Sequence, residues 1–117
     1  MTNLYLETME SLARNNRCPN DVLWVDSRDG RYALGWSTFA ELASNVEYDS
    51  GFGAQEVATD LVVVGRGWWL DRREYDGSEC WAFNTAPTPN PDALPFVKMH
   101  GGMWKTVAEY METHKCV

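Results

Sequence analysis

The chain has 117 residues, a hydrophobic fraction of 44% and a formal net charge of −7 at pH 7. That length predicts a single compact domain spanning residues 1–117 with a packed core. The hydrophobic fraction excludes a wholly disordered chain. The acidic excess argues against direct binding to nucleic acid or to an anionic membrane, which depend on Lys and Arg. It favours a basic protein partner, and solubility alone accounts for the charge equally well.

The N-terminal segment predicts an amphipathic helix over residues 2–15. Tyr5, Met9 and Leu12 recur at helical spacing and would form its apolar stripe. The segment is polar and interrupted by acidic residues, unlike a secretory signal, and no apolar run elsewhere is long enough to cross a bilayer. We therefore expect a protein that makes no use of a membrane.

A β-hairpin is predicted next. Residues 21–25 and 31–36 are apolar runs separated by the turn sequence Ser-Arg-Asp-Gly at 27–30. Alternation in the second run would place three apolar side chains on one face of the sheet: Tyr32, Leu34 and Trp36.

A short second helix is predicted over residues 38–44, because Thr38 followed by Glu41 fits a capping box. Residues 45–53 then predict a loop, and residues 55–59 predict one helical turn. The glycines of the loop lack the Lys and the spacing of a phosphate-binding loop, so we do not expect nucleotide binding.

Three strands are predicted in the middle of the chain, over residues 61–64, 68–74 and 78–84. The first is a continuous apolar run, as in strands that are covered on both faces. The Asp-Gly pair at 76–77, between the second and third strands, is a strong hairpin signal. These three segments should form the centre of an antiparallel sheet.

The C-terminal third predicts an irregular connection, an edge strand and a helix. Four of the five prolines lie within residues 85–95, where they disfavour regular ladders. Residues 95–100 predict the short strand and residues 103–115 an amphipathic helix. The order of elements predicts an α+β fold, with a mostly antiparallel sheet of four to six strands and N-terminal, middle and C-terminal helices packed on it.

No catalytic or metal-binding constellation stands out in the sequence. His100 and His114 are isolated, and the three cysteines, Cys18, Cys80 and Cys116, lack metal-ligand spacing. An odd number of distant cysteines favours free thiols and a cytoplasmic protein. The sequence therefore predicts no enzyme activity, no metal and no cofactor.

Aromatic and acidic residues concentrate together in residues 48–83. Carboxylates beside Trp could hydrolyse a glycoside, but that requires a deep cleft, and the neighbouring Arg72 and Arg73 favour surface ion pairs. A small-ligand-binding module that stacks ligands on a Trp-rich sheet is the main alternative. A protein-binding surface accounts for both features, since acids can occupy a Lys- and Arg-lined groove while aromatics anchor the contact.

A resemblance to small bacteriophage and prophage proteins covers residues 21–84 and is carried by WVDSRDGRYALGW and YDSGFGAQEVATDLVVVGRGWWLDRREYDGSECWAF. The resemblance implies an inhibitor of host defence, of the anti-CRISPR kind, that blocks a basic nucleic-acid-binding surface of a CRISPR–Cas effector. It implies a location in the cytoplasm of the bacterial host, as a monomer or small homo-oligomer. A structural or accessory phage protein is a further alternative.

The candidate partner-binding residues lie in the loop 47–52 and the hairpin 71–79, where acids and aromatics surround turn-forming glycines. These candidates are Glu47, Asp49, Phe52, Asp71, Glu74, Asp76 and Glu79. Tyr48 and Tyr75 are weaker candidates, because either could pack inward. Solvated turns without a partner are the alternative for each residue.

Overall fold

A computed structural model describes residues 1–51 and 53–113, and the chain divides into two compact units, residues 1–86 and 87–117. Over the described residues it contains three α-helices, a five-stranded antiparallel sheet and a two-stranded ladder, which confirms the α+β class. The prediction of one domain over residues 1–117 stays a prediction. The elements are β1 Thr2–Asn3, α1 Leu4–Arg14, β2 Val22–Ser27, β3 Ala33–Leu34, α2 Trp36–Ala43, β4 Glu47–Tyr48, β5 Leu61–Gly65, β6 Trp68–Tyr75, β7 Ser78–Thr85 and α3 Val107–Thr113.

The first helix forms as the sequence predicts and starts one residue after a side-chain cap. The Oδ1 atom of Asn3 accepts a hydrogen bond from the amide of Leu6, which satisfies one of the free N–H groups of the first turn. The buried face of α1 carries Leu4 and Leu12 together with polar Thr8. The hydroxyl of Thr8 donates to the carbonyl of Leu4, so its burial leaves no unpaired donor.

The sheet of the first unit has the strand order β3-β2-β5-β6-β7, with every neighbouring pair antiparallel. Its central strand is the apolar run predicted from the sequence, and Val63 in that strand is 0% exposed. Val25, Val63 and Leu70 face the core with Trp81, on the side of the sheet that α1 and α2 contact. The predicted pairing of the three central segments is confirmed.

The two turns of the β5–β6–β7 meander depend on backbone geometry that the sequence signals. Asp76 and Gly77 adopt φ values of 50° and 86°, as a two-residue type I′ hairpin requires. At the other turn, Gly65 pairs with Trp68, and a Cβ atom on Gly65 would overlap the indole ring of Trp68. Only glycine lets this ring lie over the strand.

The predicted strand 31–36 is wrong over most of its length. Only Ala33 and Leu34 pair with β2, because the second helix already begins at Trp36. Tyr32, expected to face the apolar side, is 69% exposed. Trp36 packs instead on Phe39 within the helix, with ring centroids 5.5 Å apart.

The capping box predicted at Thr38 and Glu41 is also wrong, since Gly35 is the N-cap residue and no side chain caps this helix. Residues 55–59 form no helical turn, and the loop predicted over 45–53 contains the strand β4, which pairs with β1. Residues 95–100 form no strand.

The second unit contains the helix α3, which begins four residues later than the sequence predicts. Thr106 precedes it and forms a capping box with Glu109: the Glu109 amide donates to the Thr106 hydroxyl, and the Thr106 amide donates to the Glu109 carboxylate. The hydroxyl of Tyr110 bonds both the amide and the carbonyl of Gly102, at 2.7 and 3.0 Å. Residues 114 and 115 of the predicted helix lie outside the described residues.

We expect Gly65→Ala to lower the free energy of unfolding by about 1–3 kcal/mol, because the added methyl group must displace the Trp68 ring. Gly51→Ala is the matched control, since its Cβ would lie 3.8 Å from Asp49 Oδ1 in ordinary contact. Urea denaturation of both variants measures the difference. Equal midpoints for the two variants would contradict this account of the turn.

Candidate partner-binding surface

The structure brings together the two acidic segments that the sequence singles out. The amide of Glu79 in β7 donates to the carbonyl of Ser50 at 2.7 Å, and the amide of Glu56 donates to the Glu79 carboxylate at 2.6 Å. Residues 49–51 and 53–56 therefore lie against the hairpin formed by β6 and β7. A rigid sheet edge holds both segments in place.

Five exposed carboxylates occupy these two segments, and we refer to them as the acidic rim: Glu47, Asp49, Glu56, Glu74 and Asp76. Four of them accept hydrogen bonds that shape the local backbone or side chains. For example, Asp49 accepts from the amide of Gly51 at 3.0 Å, and Glu74 accepts from the amide of Gly77 at 2.8 Å. Glu56 was missed by the sequence analysis, because nothing local places its loop beside the hairpin.

Among the described residues, no ion pair compensates the charge of the acidic rim. Within residues 1–51 and 53–113, every ion pair uses another carboxylate, namely Glu7, Asp71 or Glu79. In a chain of net charge −7, the rim therefore adds unpaired negative charge along the two segments that Glu79 holds together.

One aromatic side chain accompanies the acidic rim at the surface. Tyr75 precedes the hairpin turn and is 84% exposed, so its ring is open to a partner. Tyr48, in contrast, is buried in the core. Phe52 lies outside the described residues.

The structure places Glu79 in the interior, so the expectation of a surface carboxylate is wrong. Glu79 is 4% exposed, and its Oε1 atom accepts from Arg72 Nη2 at 2.8 Å. The same carboxylate accepts from the amides of Glu56 and Val57, at 2.6 and 3.3 Å. These bonds hold residues 56 and 57, which we call the rim loop together with residues 49–51 and 53–55, against the sheet.

Asp71 is also buried, at 6% exposed, and lies on the opposite face of the sheet from Glu79. Arg73 binds both of its carboxylate oxygens, at 2.9 and 3.2 Å, and Arg28 forms an ion pair with it at 3.5 Å. Asn84 donates a further hydrogen bond at 3.2 Å. Neither its position nor its partners make it part of the acidic rim.

Beneath the acidic rim lies the buried guanidinium of Arg72, whose side chain is 0% exposed. It contacts the carboxylates of Glu7 and Glu79, at 3.3 and 2.8 Å, and its Nη2 atom donates to the Tyr48 hydroxyl at 2.8 Å. The ring centroid of Trp81 lies 4.7 Å from the guanidinium carbon. Burial opposes the charge, but the hydrogen bonds to Glu79 and Tyr48 and the charge of Glu7 outweigh it and raise the pKa of Arg72.

The phenol of Tyr48 belongs to the same network. It donates to Glu7 Oε1 at 2.6 Å while it accepts from Arg72. Burial, followed by the hydrogen bond to Glu7, raises the pKa of Tyr48 far above its ordinary value. The neutral phenol is thereby the form that fits the folded protein.

Comparison of the chain with known protein families, with curated proteins and with solved structures finds no match. None of the described helices is both long and apolar enough to span a bilayer. In residues 1–51 and 53–113, no three His, Cys, Asp or Glu side chains are grouped around a common metal position. The fold defines an α+β protein.

We expect Arg72→Met to lower the free energy of unfolding by about 3–5 kcal/mol, because it leaves the buried carboxylate of Glu79 without its cation. Arg66→Met, at an exposed turn, is the matched control and should change stability by about 0.5 kcal/mol or less. Chemical denaturation measures both variants. A similar midpoint for the two variants would show that the network does not support the fold.

Above about pH 10 we expect stability to fall as the pH rises, because the unfolded chain releases the Tyr48 proton while the folded protein retains it. Below that pH both states are protonated, and the contribution is fully present. Tyr48→Phe should flatten this part of the curve, whereas Tyr32→Phe, at an exposed position, should not. The free energy of unfolding measured from pH 8 to 11 tests this, and identical slopes for the two variants would contradict it.

Proposed function

We propose that this protein binds a basic surface of a partner protein through the acidic rim and Tyr75. The observation that carries the proposal is the set of five exposed carboxylates that form no ion pairs within the described chain and lie on two segments joined by Glu79. Loops held on a rigid sheet are where binding residues concentrate.

Charge and aromatic area have separate roles in such an interface. Uncompensated carboxylates attract a Lys- and Arg-rich surface over a distance of about 10 Å at 0.1 M salt, and so accelerate the encounter. The exposed ring of Tyr75 supplies apolar area that becomes desolvated on contact, as tyrosines at energetic centres of interfaces do.

The partner class follows from the charge and from the resemblance to phage proteins. A groove that holds nucleic acid is lined by Lys and Arg and is complementary to a line of carboxylates. We therefore propose an inhibitor of host defence that occupies the nucleic-acid-binding surface of a CRISPR–Cas effector. In this proposal the protein acts by occupancy and carries out no chemical step.

We expect neutralisation of four rim residues to slow association with such an effector at least tenfold. The variant is Glu47→Gln, Asp49→Asn, Glu74→Gln and Asp76→Asn, whose amide oxygens retain the acceptors that shape the turns. Surface plasmon resonance against a panel of purified effectors at several salt concentrations measures the rate. The wild-type rate should fall steeply as salt rises, and the rate of the variant should be nearly insensitive to salt.

The matched control removes the same charge elsewhere on the surface, through Glu10→Gln, Glu41→Gln, Asp60→Asn and Asp92→Asn. Its association rate should stay close to that of the wild type, and Tyr75→Ala should act mainly on dissociation. Equal slowing by both sets would show that net charge alone is responsible. Wild-type binding to no effector in the panel would overturn the choice of partner class.

A further inference from the structure

The face of the sheet opposite to the helices carries a second set of aromatic and charged side chains. The register of β2, β5 and β6 aligns Trp24, Val64 and Trp69 in one row. The adjacent row contains Asp26, Val62 and Asp71. These side chains alternate with the core residues along each strand and therefore point to the other face, which we call the outer face.

A groove of about 490 Å³ lies on the outer face, within the size range of small-molecule sites. Valines form its floor, an indole forms one wall, and charged side chains surround it. The lining residues are Asp26, Arg28, Val62, Val64, Trp69 and Asp71. None of the acidic rim residues contributes to it.

Two indole rings stand on either side of Val64. Trp24 is 42% exposed, and its Nε1 atom donates to Asp26 Oδ2 at 2.9 Å, which holds the ring in one orientation. Trp69 is half-buried at the same level of the sheet. The two backbones are two strands apart, about 10 Å, and of the two indoles Trp69 lines the groove while Trp24 lies outside its lining.

Two acids and one base line the groove, namely Asp26, Asp71 and Arg28. Arg73 lies beside the groove and pairs with Asp71, and the side chains of Arg28 and Arg73 are 61% and 58% exposed. Arg73 uses its Nε and Nη2 atoms on Asp71, and Nη2 also donates to Asn84 Oδ1 at 3.3 Å, so its Nη1 group remains as a donor for a ligand. Together with the adjacent Arg73, the groove thus offers donors and acceptors whose formal charges cancel.

We propose that the outer-face groove binds a neutral saccharide. The C–H face of a sugar ring packs on indole, and its hydroxyl groups both donate and accept, which matches paired carboxylate and guanidinium groups. A phosphorylated ligand is opposed by the acidic charge of the protein. A wholly apolar ligand would remove the exposed guanidinium groups of Arg28 and Arg73 from water without offering them acceptors.

The test is a binding screen of the full chain by NMR against neutral malto-, cello- and chito-oligosaccharides, with nucleosides and an apolar dye as competing classes. At least one oligosaccharide should bind with a dissociation constant in the millimolar range or below. The methyl signals of Val62 and Val64 should shift on titration, because both side chains line the groove.

Trp69→Leu should weaken that binding about tenfold or more, since it removes the indole and keeps an apolar side chain on the strand. Trp104→Leu, at a residue 91% exposed in the second unit, is the matched control and should bind as the wild type does. Asp26→Asn should also weaken binding, while its amide oxygen still accepts from Trp24.

Binding of no neutral oligosaccharide, equal binding by Trp69→Leu and Trp104→Leu, or shifts confined to other methyl groups would each overturn the proposal. Binding of nucleosides or the dye in place of saccharides would do so as well. Should Trp69→Leu fail to fold, the methyl shifts of the wild type and the affinity of Asp26→Asn decide. Effector binding is unaffected by any of these outcomes, because the acidic rim lies outside the groove.

Discussion

The first unit is organised around one buried cation, the guanidinium of Arg72. A charge that is removed from water must be matched by opposite charges and acceptors in a suitable geometry, or the fold that buries it is unstable. Its partners come from three different elements: Glu7 in α1, Tyr48 in β4 and Glu79 in β7. The helix and the short ladder are therefore fixed to the sheet by directional bonds as well as by apolar packing.

A second polar contact continues this arrangement along α1. The indole N–H of Trp81 donates to the hydroxyl of Thr8, which in turn donates to the carbonyl of Leu4. The ring of Trp81 also packs against the Arg72 guanidinium. Apolar burial and polar pairing therefore act on the same side chain, which restricts α1 to one position over β7.

The elements that the sequence predicts correctly are those with short-range signals. The strands β5, β6 and β7 follow from an apolar run, an alternating pattern and the Asp76-Gly77 turn. The start of α2 has no such signal, because Gly35 precedes it and no side chain caps it. The prediction of a strand over the whole of residues 31–36 is therefore wrong.

The exposed acids of the candidate surface could be predicted from the sequence, whereas the buried ones could not, because their burial depends on residues distant in the chain. Exposure of Asp49, Glu74 and Asp76 follows from turn chemistry. Burial of Glu79 depends on Arg72 and on a loop some twenty residues earlier in the chain, and Glu7 reaches the same site from 65 residues away. Charge patterns identify acidic side chains, but they do not show which of them have a buried cation.

The attachment of the rim loop to Glu79 has a consequence for how tightly a partner is retained. A free loop loses backbone entropy when it is ordered at an interface, and that loss weakens the complex. Here folding has already restricted the backbone at Glu56 and Val57 through their bonds to a buried carboxylate. In the proposed complex, the backbone at these two residues is already ordered before binding, so less of the contact free energy is lost to entropy than with a free loop.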